Sequence, residues 1–296
     1  MSEVILETKN LCKSYGRTSA LDEFSLKFEK DKIYGLLGRN GAGKTTLLNL
    51  ITSRIFADGG EVTAFGENVV ENARVLPRIC YMPEKNMFMK KMKVKTTLKF
   101  AGEFYENFDF IYADSLCKKF ELDISKKYSA LSRGYESILR IVIGLASRAE
   151  ITIFDEPVLG LDAAVRDIFY RELIDDYSAH PRTFIISTHL IEESADIFEE
   201  AMIIKNGRLI SQTTVEELKD CAHYISGKSD IVDNAVTGLN VIHSENVASV
   251  KICTVYQRLY EAELSRIRAL GLDISPVPVQ KLFIYLTNQD QGGHSL

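Results

Sequence analysis

The chain has 296 residues, 46% of them apolar and 26% charged, enough for one large core or two smaller ones, so a disordered chain and a disulfide-stapled miniprotein are both excluded. The 36 Lys and Arg against 41 Asp and Glu leave a net charge of -5, which argues against a surface built to neutralise many nucleic-acid phosphates; any phosphate site must be local. Five cysteines, Cys12, Cys80, Cys117, Cys221 and Cys253, are odd in number, scattered and without a CxxC pair, which fits a reducing compartment better than a disulfide framework or a zinc ribbon.

The opening residues, MSEVILETKN, carry Glu3 and Glu7 within a short apolar stretch and lack the basic start of an export signal, so a cytoplasmic location is expected. No apolar run approaches the ~20 residues of a membrane span. A short strand is predicted over 32–37, then a glycine loop, then a helix over 44–55. Apolar residues recur at helical spacing from 94 to about 122 and again over 137–149, which predicts an all-helical insert at about 90–148 between two sheet strands. Strands at 151–154 and 183–187 complete an alternation that implies an α/β fold with a largely parallel sheet covered by helices. The run IIKNGRLI reads as a hairpin turning at Asn206-Gly207, and TTVEELKD after it has the cap-then-acid pattern of a helix start.

A domain boundary is expected near 221, giving a main domain over 1–220, a small α+β domain over 221–289 and a flexible tail over 290–296. The small domain shows short strands at 241–243 and 250–254, a helical stretch around 260–270 and the apolar segment KLFIYLT. Leu282, Phe283 and Leu286 stand there at the helical spacing of a core face.

Two segments carry chemistry. Gly38-Arg39-Asn40-Gly41-Ala42-Gly43-Lys44-Thr45 follows a predicted strand and opens a helix, the context of a phosphate-binding loop: glycines let backbone N–H groups turn inward, and the helix start adds partial positive charge. Lys44 is placed to reach the β- and γ-phosphates and Thr45 to put its hydroxyl on Mg2+, with Thr46 continuing the loop. The second is Ile151-Thr152-Ile153-Phe154-Asp155-Glu156, an apolar strand that ends in two carboxylates. Asp155 at its C-terminal end can hold the metal shell, and Glu156 can polarise a water.

These two motifs, with Leu161-Asp162 and Ser187-Thr188-His189 downstream and Leu131-Ser132-Arg133-Gly134-Tyr135 just ahead of the second, resemble the ATP-binding cassette of ABC transporters over about residues 3 to 220. The resemblance implies a P-loop NTPase cassette that hydrolyses ATP with Mg2+. It assigns Tyr15 to stacking on adenine, Glu156 to the general base, His189 to the γ-phosphate, Asp162 to the loop by which paired cassettes sense each other, and Ser132 and Gly134 to a nucleotide on an opposing subunit. Glu84, in Tyr81-Met82-Pro83-Glu84, stands where most relatives have a metal-linking glutamine, and a carboxylate there would bind the ion but cannot donate a hydrogen bond. Arg133 and Tyr135 also depart from the family's signature, in which they would be glycine and glutamine.

The implied partners are a second cassette, as homodimer or heterodimer, and an integral membrane permease that would place the chain at the inner face of the cell membrane. The Tyr-Met-Pro-Glu context and the C-terminal appendage are similar to efflux cassettes. Lys90, Lys91, Lys93, Lys95 and Lys99 read either as a solvated helix face or as a patch that docks a membrane partner or anionic lipid. A soluble cassette acting on ribosomes or DNA is the alternative; it would need a second fused cassette, a coiled coil or a basic arm, none of which is visible, so no nucleic-acid partner is expected. A small-molecule kinase with the same loop leaves the signature segment and His189 unexplained.

Overall fold

The computed structural model describes residues 3–85 and 88–288, so the tail expected at 290–296 lies outside the described residues. The chain divides into two compact units. One holds the residues up to His189 together with Ile197–Gln212; the other holds Leu190–Asp196 and everything from Thr213 onward.

The first unit opens with two strands, β1 (Val4–Tyr15) and β2 (Thr18–Glu29), followed by β3 (Ile33–Gly38), α1 (Lys44–Ile51), β4 (Gly59–Ala64), β5 (Glu67–Asn68) and β6 (Ile79–Met82). Helices α2 (Val94–Phe104), α3 (Phe110–Lys119) and α4 (Arg133–Ala146) come next, then β7 (Ile151–Asp155), α5 (Ala163–Ala179) and β8 (Thr183–Thr188). The short α6 (Ile191–Ser194) belongs to the second unit, after which β9 (Glu200–Lys205) and β10 (Arg208–Thr214) close the first. A six-stranded sheet runs in the order β10-β9-β3-β8-β7-β6, with β3, β6, β7, β8 and β9 parallel. Its inner strands are apolar at nearly every position because helices cover both faces; every residue of β3 and β7 is buried.

A second sheet, antiparallel and in the order β2-β1-β4-β5, was not foreseen from the sequence. Its signal is present: Phe24, Leu26 and Phe28 are buried while Ser25 and Lys27 between them are exposed, the period-two alternation of a strand with one wet face. Leu6, Leu11, Phe24 and Phe28 of this sheet share one core cluster with Leu47 and Ile51 of α1 and with Ile153, Ile185 and Met202 of the parallel sheet. Helix α1 is therefore gripped by both sheets, each fully buried side chain contributing about 1.5–3 kcal/mol. That anchorage fixes the helix end on which the site is built.

Helix boundaries differ from the sequence reading at three points. The stretch expected over 94 to 122 is two helices, because Asp109 accepts the N–H of Tyr112 at 2.8 Å and restarts the chain as α3. Helix α1 stops at Ile51, just before Ser53 takes a left-handed φ of 52°. Helix α4 begins at Arg133, earlier than expected, because Ser132 caps it by accepting from Tyr135 N. The turn between β9 and β10 follows the Asn-Gly rule, with φ of 49° at Asn206 and 76° at Gly207, the left-handed pair that matches strand twist.

A buried ion network ties the insert helices to the core. Asp176 of α5, 1% exposed, accepts from Arg182 at 2.6 Å and from Arg148, whose other nitrogen reaches Asp109 at 3.2 Å. Arg182 also donates to the Leu145 carbonyl at 2.9 Å, and burial lowers its pKa. The N-terminus of α3, the C-terminus of α4, α5 and β8 thus meet at one carboxylate.

The second unit continues with α7 (Val215–Asp220), β11 (Ala222–Gly227), α8 (Ser229–Ala235), β12 (Val241–Val247), β13 (Val250–Tyr256), α9 (Glu261–Ala269), β14 (Asp273–Pro276) and α10 (Val279–Asn288). It starts at Thr213 and not at 221, because α7, capped by Thr214 accepting from Glu217 N, packs on β11. Segment 190–196 joins it through α6, whose Ile191 N–H donates to Gln280 on α10 at 3.1 Å. Its antiparallel sheet runs β12-β13-β11-β14, so β11 to β14 form a βαββαβ unit in the ferredoxin-like order. Ile225, Cys253 and Val255 pack with Val232, Ile267 and Leu272 between the sheet and helices α8 and α9. On α10, Leu282, Phe283 and Leu286 are buried, and Tyr285 stacks on His243 with ring centroids 4.1 Å apart.

One titration follows from this packing. The Nε2 atom of His223 on β11 is buried without a hydrogen-bond partner among the described residues, and burial pushes the imidazole pKa down from 6.5, an effect that Asp220 offsets only in part. The unfolded chain then takes up the proton first as pH falls, so stability is full above about pH 6.5 and declines below it. Urea unfolding of the second unit measured between pH 8 and pH 5 is expected to show this decline and His223→Gln to flatten it; an equal slope in the variant would refute the assignment. Among the described residues, no helix is long and apolar enough to cross a membrane.

Candidate active site

The glycine loop leaves β3 at Gly38 and enters α1 at Lys44. Two of its glycines are obligatory for different reasons. Gly41 takes a φ of 82°, and at Gly43, with a φ of 110°, an added Cβ would stand 2.5 Å from the Ala20 carbonyl on β2. Gly43 brings no side-chain cap to α1, so the first-turn N–H groups of that helix are left for a ligand. Arg39, Asn40 and Gly41 are exposed at the rim, Ala42 is buried beneath them, and Thr46 is half-buried in the first turn of α1.

Lys44, 6% exposed, donates its ammonium to the Gly38 carbonyl at 2.5 Å and lies 3.7 Å from Glu156 Oε1. Burial lowers its pKa, while Glu156 and Asp155 oppose the shift. Asp155 and Glu156 are 1% and 6% exposed, at the C-terminal end of β7, where open α/β sheets bind ligands. Glu156 holds a φ of 50°, a left-handed strain of about 1–3 kcal/mol for a residue with a side chain, and its N–H is fixed by the Ser187 carbonyl at 2.9 Å. Its Oε2 lies 2.9 Å from His189 Nδ1; a carboxylate can only accept, so Nδ1 carries the proton. The structure thus brings Lys44, Thr45, Asp155, Glu156 and His189 together.

The fit of Mg2+ to this site can be judged from the oxygens. Asp155 Oδ2 accepts from Thr45 Oγ1 at 2.9 Å, while Asp155 Oδ1 is buried and has no hydrogen-bond partner among the described residues. A bare carboxylate oxygen beside a threonine hydroxyl suits a hard cation that takes its other ligands from phosphate and water, and no cluster of three or more His, Cys, Asp or Glu forms an all-protein cage among the described residues. Glu84 is exposed on the loop after β6; its charge acts on Lys44, but its hydrogen bond in the structure is made by its main-chain carbonyl.

The other expected residues lie apart from this cluster. Tyr15 ends β1 with its ring 53% exposed and Lys13 Nζ 5.7 Å from the ring centroid, an open aromatic face at the tip of the β1–β2 hairpin. Ser132 and Arg133 are exposed at the start of α4, and Gly134 packs so closely that an added Cβ would lie 3.0 Å from the Gly160 carbonyl. Asp162 caps α5, accepting from Val165 N at 3.0 Å. Tyr81 was missed by sequence reasoning: its buried hydroxyl donates to Asp155 Oδ2 at 3.4 Å, and Arg54 lies over its ring. A tyrosine among the apolar residues of a buried strand needs a partner for its O–H, which was the available signal.

Comparison with known proteins places this geometry. Residues 21–159 match the sequence profile of the family described as ABC transporter. The chain is 32% identical over 216 residues to the ABC transporter ATP-binding protein YtrB of Bacillus subtilis, covering 73% of this chain and 74% of that protein. It is 28% identical over 227 residues to the Nod factor export ATP-binding protein I of Ralstonia nicotianae, covering 73% and 69%. Among solved structures, an ATP-binding cassette captured as a dimer in a post-hydrolysis state with ADP and Pi superposes with a TM-score of 0.64 at 20% identity, over 71% of this chain and 99% of that one. The chain belongs to the ATP-binding cassette family of ABC transporters and is an ATP-binding, ATP-hydrolysing protein of that family.

Proposed function

We propose that this chain is the motor subunit of an ABC exporter, acting as a pair of cassettes that close around ATP and drive a separate membrane permease. The observation that carries the pairing is the exposure of Ser132 and Arg133 at the start of α4, on a different element from the glycine loop of the same chain. A second chain then supplies what the first cannot, and the dimeric state of a structural relative agrees with this. Export is supported by the Ralstonia relative, a Nod factor export ATP-binding protein. For the permease, there is a cleft of about 400 Å³ lined by Arg54, Leu76, Pro77, Tyr81, Tyr105 and the exposed Phe104, and the five lysines from Lys90 to Lys99 are all exposed nearby in sequence.

In this reading the glycine-loop amides and Lys44 bind the triphosphate, Lys44 exchanging the Gly38 carbonyl for phosphate oxygen. Tyr15 offers its face to the adenine. Glu156 holds the attacking water and takes up its proton, and His189 orients the Glu156 carboxylate while standing ready for the γ-phosphate. Thr45, Asp155 and Glu84 would hold Mg2+, which when bound neutralises charge on the β- and γ-phosphates. Ser132 and Gly134 of the opposing chain complete the enclosure.

Mixing two inactive variants tests the arrangement. Lys44→Ala destroys the phosphate loop and Ser132→Arg the opposing contact, so each alone is expected to lose ATP hydrolysis. Mixed in equal amounts they form pairs with one doubly damaged and one intact site, and hydrolysis is expected to reappear at about a quarter of the wild-type rate, half the pairs being mixed with one of two sites restored. Absence of any recovery would overturn the shared site in a homodimer.

A further inference from the structure

We propose that Arg140 is a positioning residue for ATP hydrolysis, tying the Glu84 segment both to the helix that presents Ser132 and to the loop that carries Glu156; this rests on the nucleotide reading above. Arg140 is buried within the apolar run of α4, flanked by buried Leu139 and Ile141. Its Nη1 donates to the carbonyls of Pro83 at 2.6 Å and Glu84 at 2.5 Å, and its Nη2 donates to Ser137 Oγ at 2.7 Å. The Ser137 hydroxyl passes its own proton to the Leu159 carbonyl at 2.9 Å, and the Leu159 N–H reaches back to the Glu156 carbonyl at 3.3 Å.

The acceptors decide the reading. Removing a guanidinium from water costs several kcal/mol and is normally compensated by a carboxylate. Here the hydrogen-bond partners among the described residues are neutral oxygens, two of them the carbonyls of Pro83 and Glu84 that follow β6, the first in a buried place. An apolar side chain would fill the same space with less cost, so the planar fork is needed for what it joins. It joins residues 83–84, α4 and, through Ser137, residue 159. A shift of the Glu84 segment therefore moves the fork, and with it the helix start at Ser132 and the backbone three residues after Glu156. None of these contacts touches the glycine loop.

That separation sets the test, made on the full chain. Arg140→Lys keeps the charge but cannot span two carbonyls and a hydroxyl; Ser137→Ala removes the link to Leu159 at little cost in volume. With misplacement of the reacting groups as the only change, kcat is expected to fall about tenfold in Arg140→Lys and about threefold in Ser137→Ala, while ATP affinity stays within about twofold of wild type. The double variant is expected to be no slower than Arg140→Lys alone, since both substitutions cut one relay. A kcat within about twofold of wild type, affinity falling in step with kcat, or fully additive losses would each overturn the proposal. If Arg140→Lys does not fold, Ser137→Ala decides by the same split. Lys44→Ala in the same titration is expected to lose ATP; retained wild-type affinity would instead bring down the nucleotide reading, and this proposal with it.

Discussion

Replacing Glu156 by Gln is expected to slow ATP turnover by about 10²- to 10⁴-fold while leaving ATP bound and two chains held together. The amide matches the carboxylate in shape, and its oxygen can still accept from His189, so the geometry built around the left-handed φ at this position survives. What is lost is the capacity to take a proton from water. Binding depends on the glycine loop and Lys44, which the substitution does not touch; losing the negative charge 3.7 Å from the ammonium frees Lys44 further for phosphate. The bridge between chains is then made and not broken. Sedimentation of the variant with and without ATP checks this: a monomer at every ATP concentration would contradict a pair made of two copies of this chain.

The second large effect concerns stability. Asp176→Ala removes the carboxylate that Arg148 and Arg182 share, in a place where Arg182 is itself buried. Breaking a buried pair by removing one partner costs about 3–5 kcal/mol, because the remaining charge is desolvated and unpaired. Arg148 keeps Asp109 at 3.2 Å, so the unpaired charge left behind is chiefly that of the buried Arg182. Urea unfolding followed by circular dichroism is expected to show the loss in the transition of the first unit alone; a shift below about 1 kcal/mol would mean that water or Asp109 makes good the deficit.

Most of the site was legible because its chemistry is local. The spacing from Gly38 to Thr45 and the strand that ends in Asp155 and Glu156 are contiguous in sequence, and each makes sense only with the element beside it. Thr214 was readable as a helix start for the same reason. Features that depend on distant partners were not. The pairing of β1 with β4 joins residues separated by three other elements, and the alternation at Phe24, Leu26 and Phe28 was visible but has no unique partner in a linear reading. Arg140 is a lone cation in an apolar helix, and only the fold shows that two carbonyls from another strand end meet it. The break at Asp109 was hidden because a helical period on both sides outweighed one capping residue. In the second unit, β11 is half-buried and β14 is short and mostly exposed, and only the order β12-β13-β11-β14 shows them to be the same kind of element as the strands between them.

The turn at Asn206-Gly207 reaches further than a hairpin normally would. Its Gly207 N–H donates to the Ala42 carbonyl at 2.9 Å, and the Gly207 carbonyl accepts from Asp22 N at 3.1 Å, so the summit of the phosphate loop leans on a strand connection 165 residues away in sequence. A loop propped in this manner surrenders little disorder when its ligand arrives, and what would have been an entropic toll is retained as affinity. Nucleotide binding is thereby made hostage to a dipeptide outside the phosphate loop.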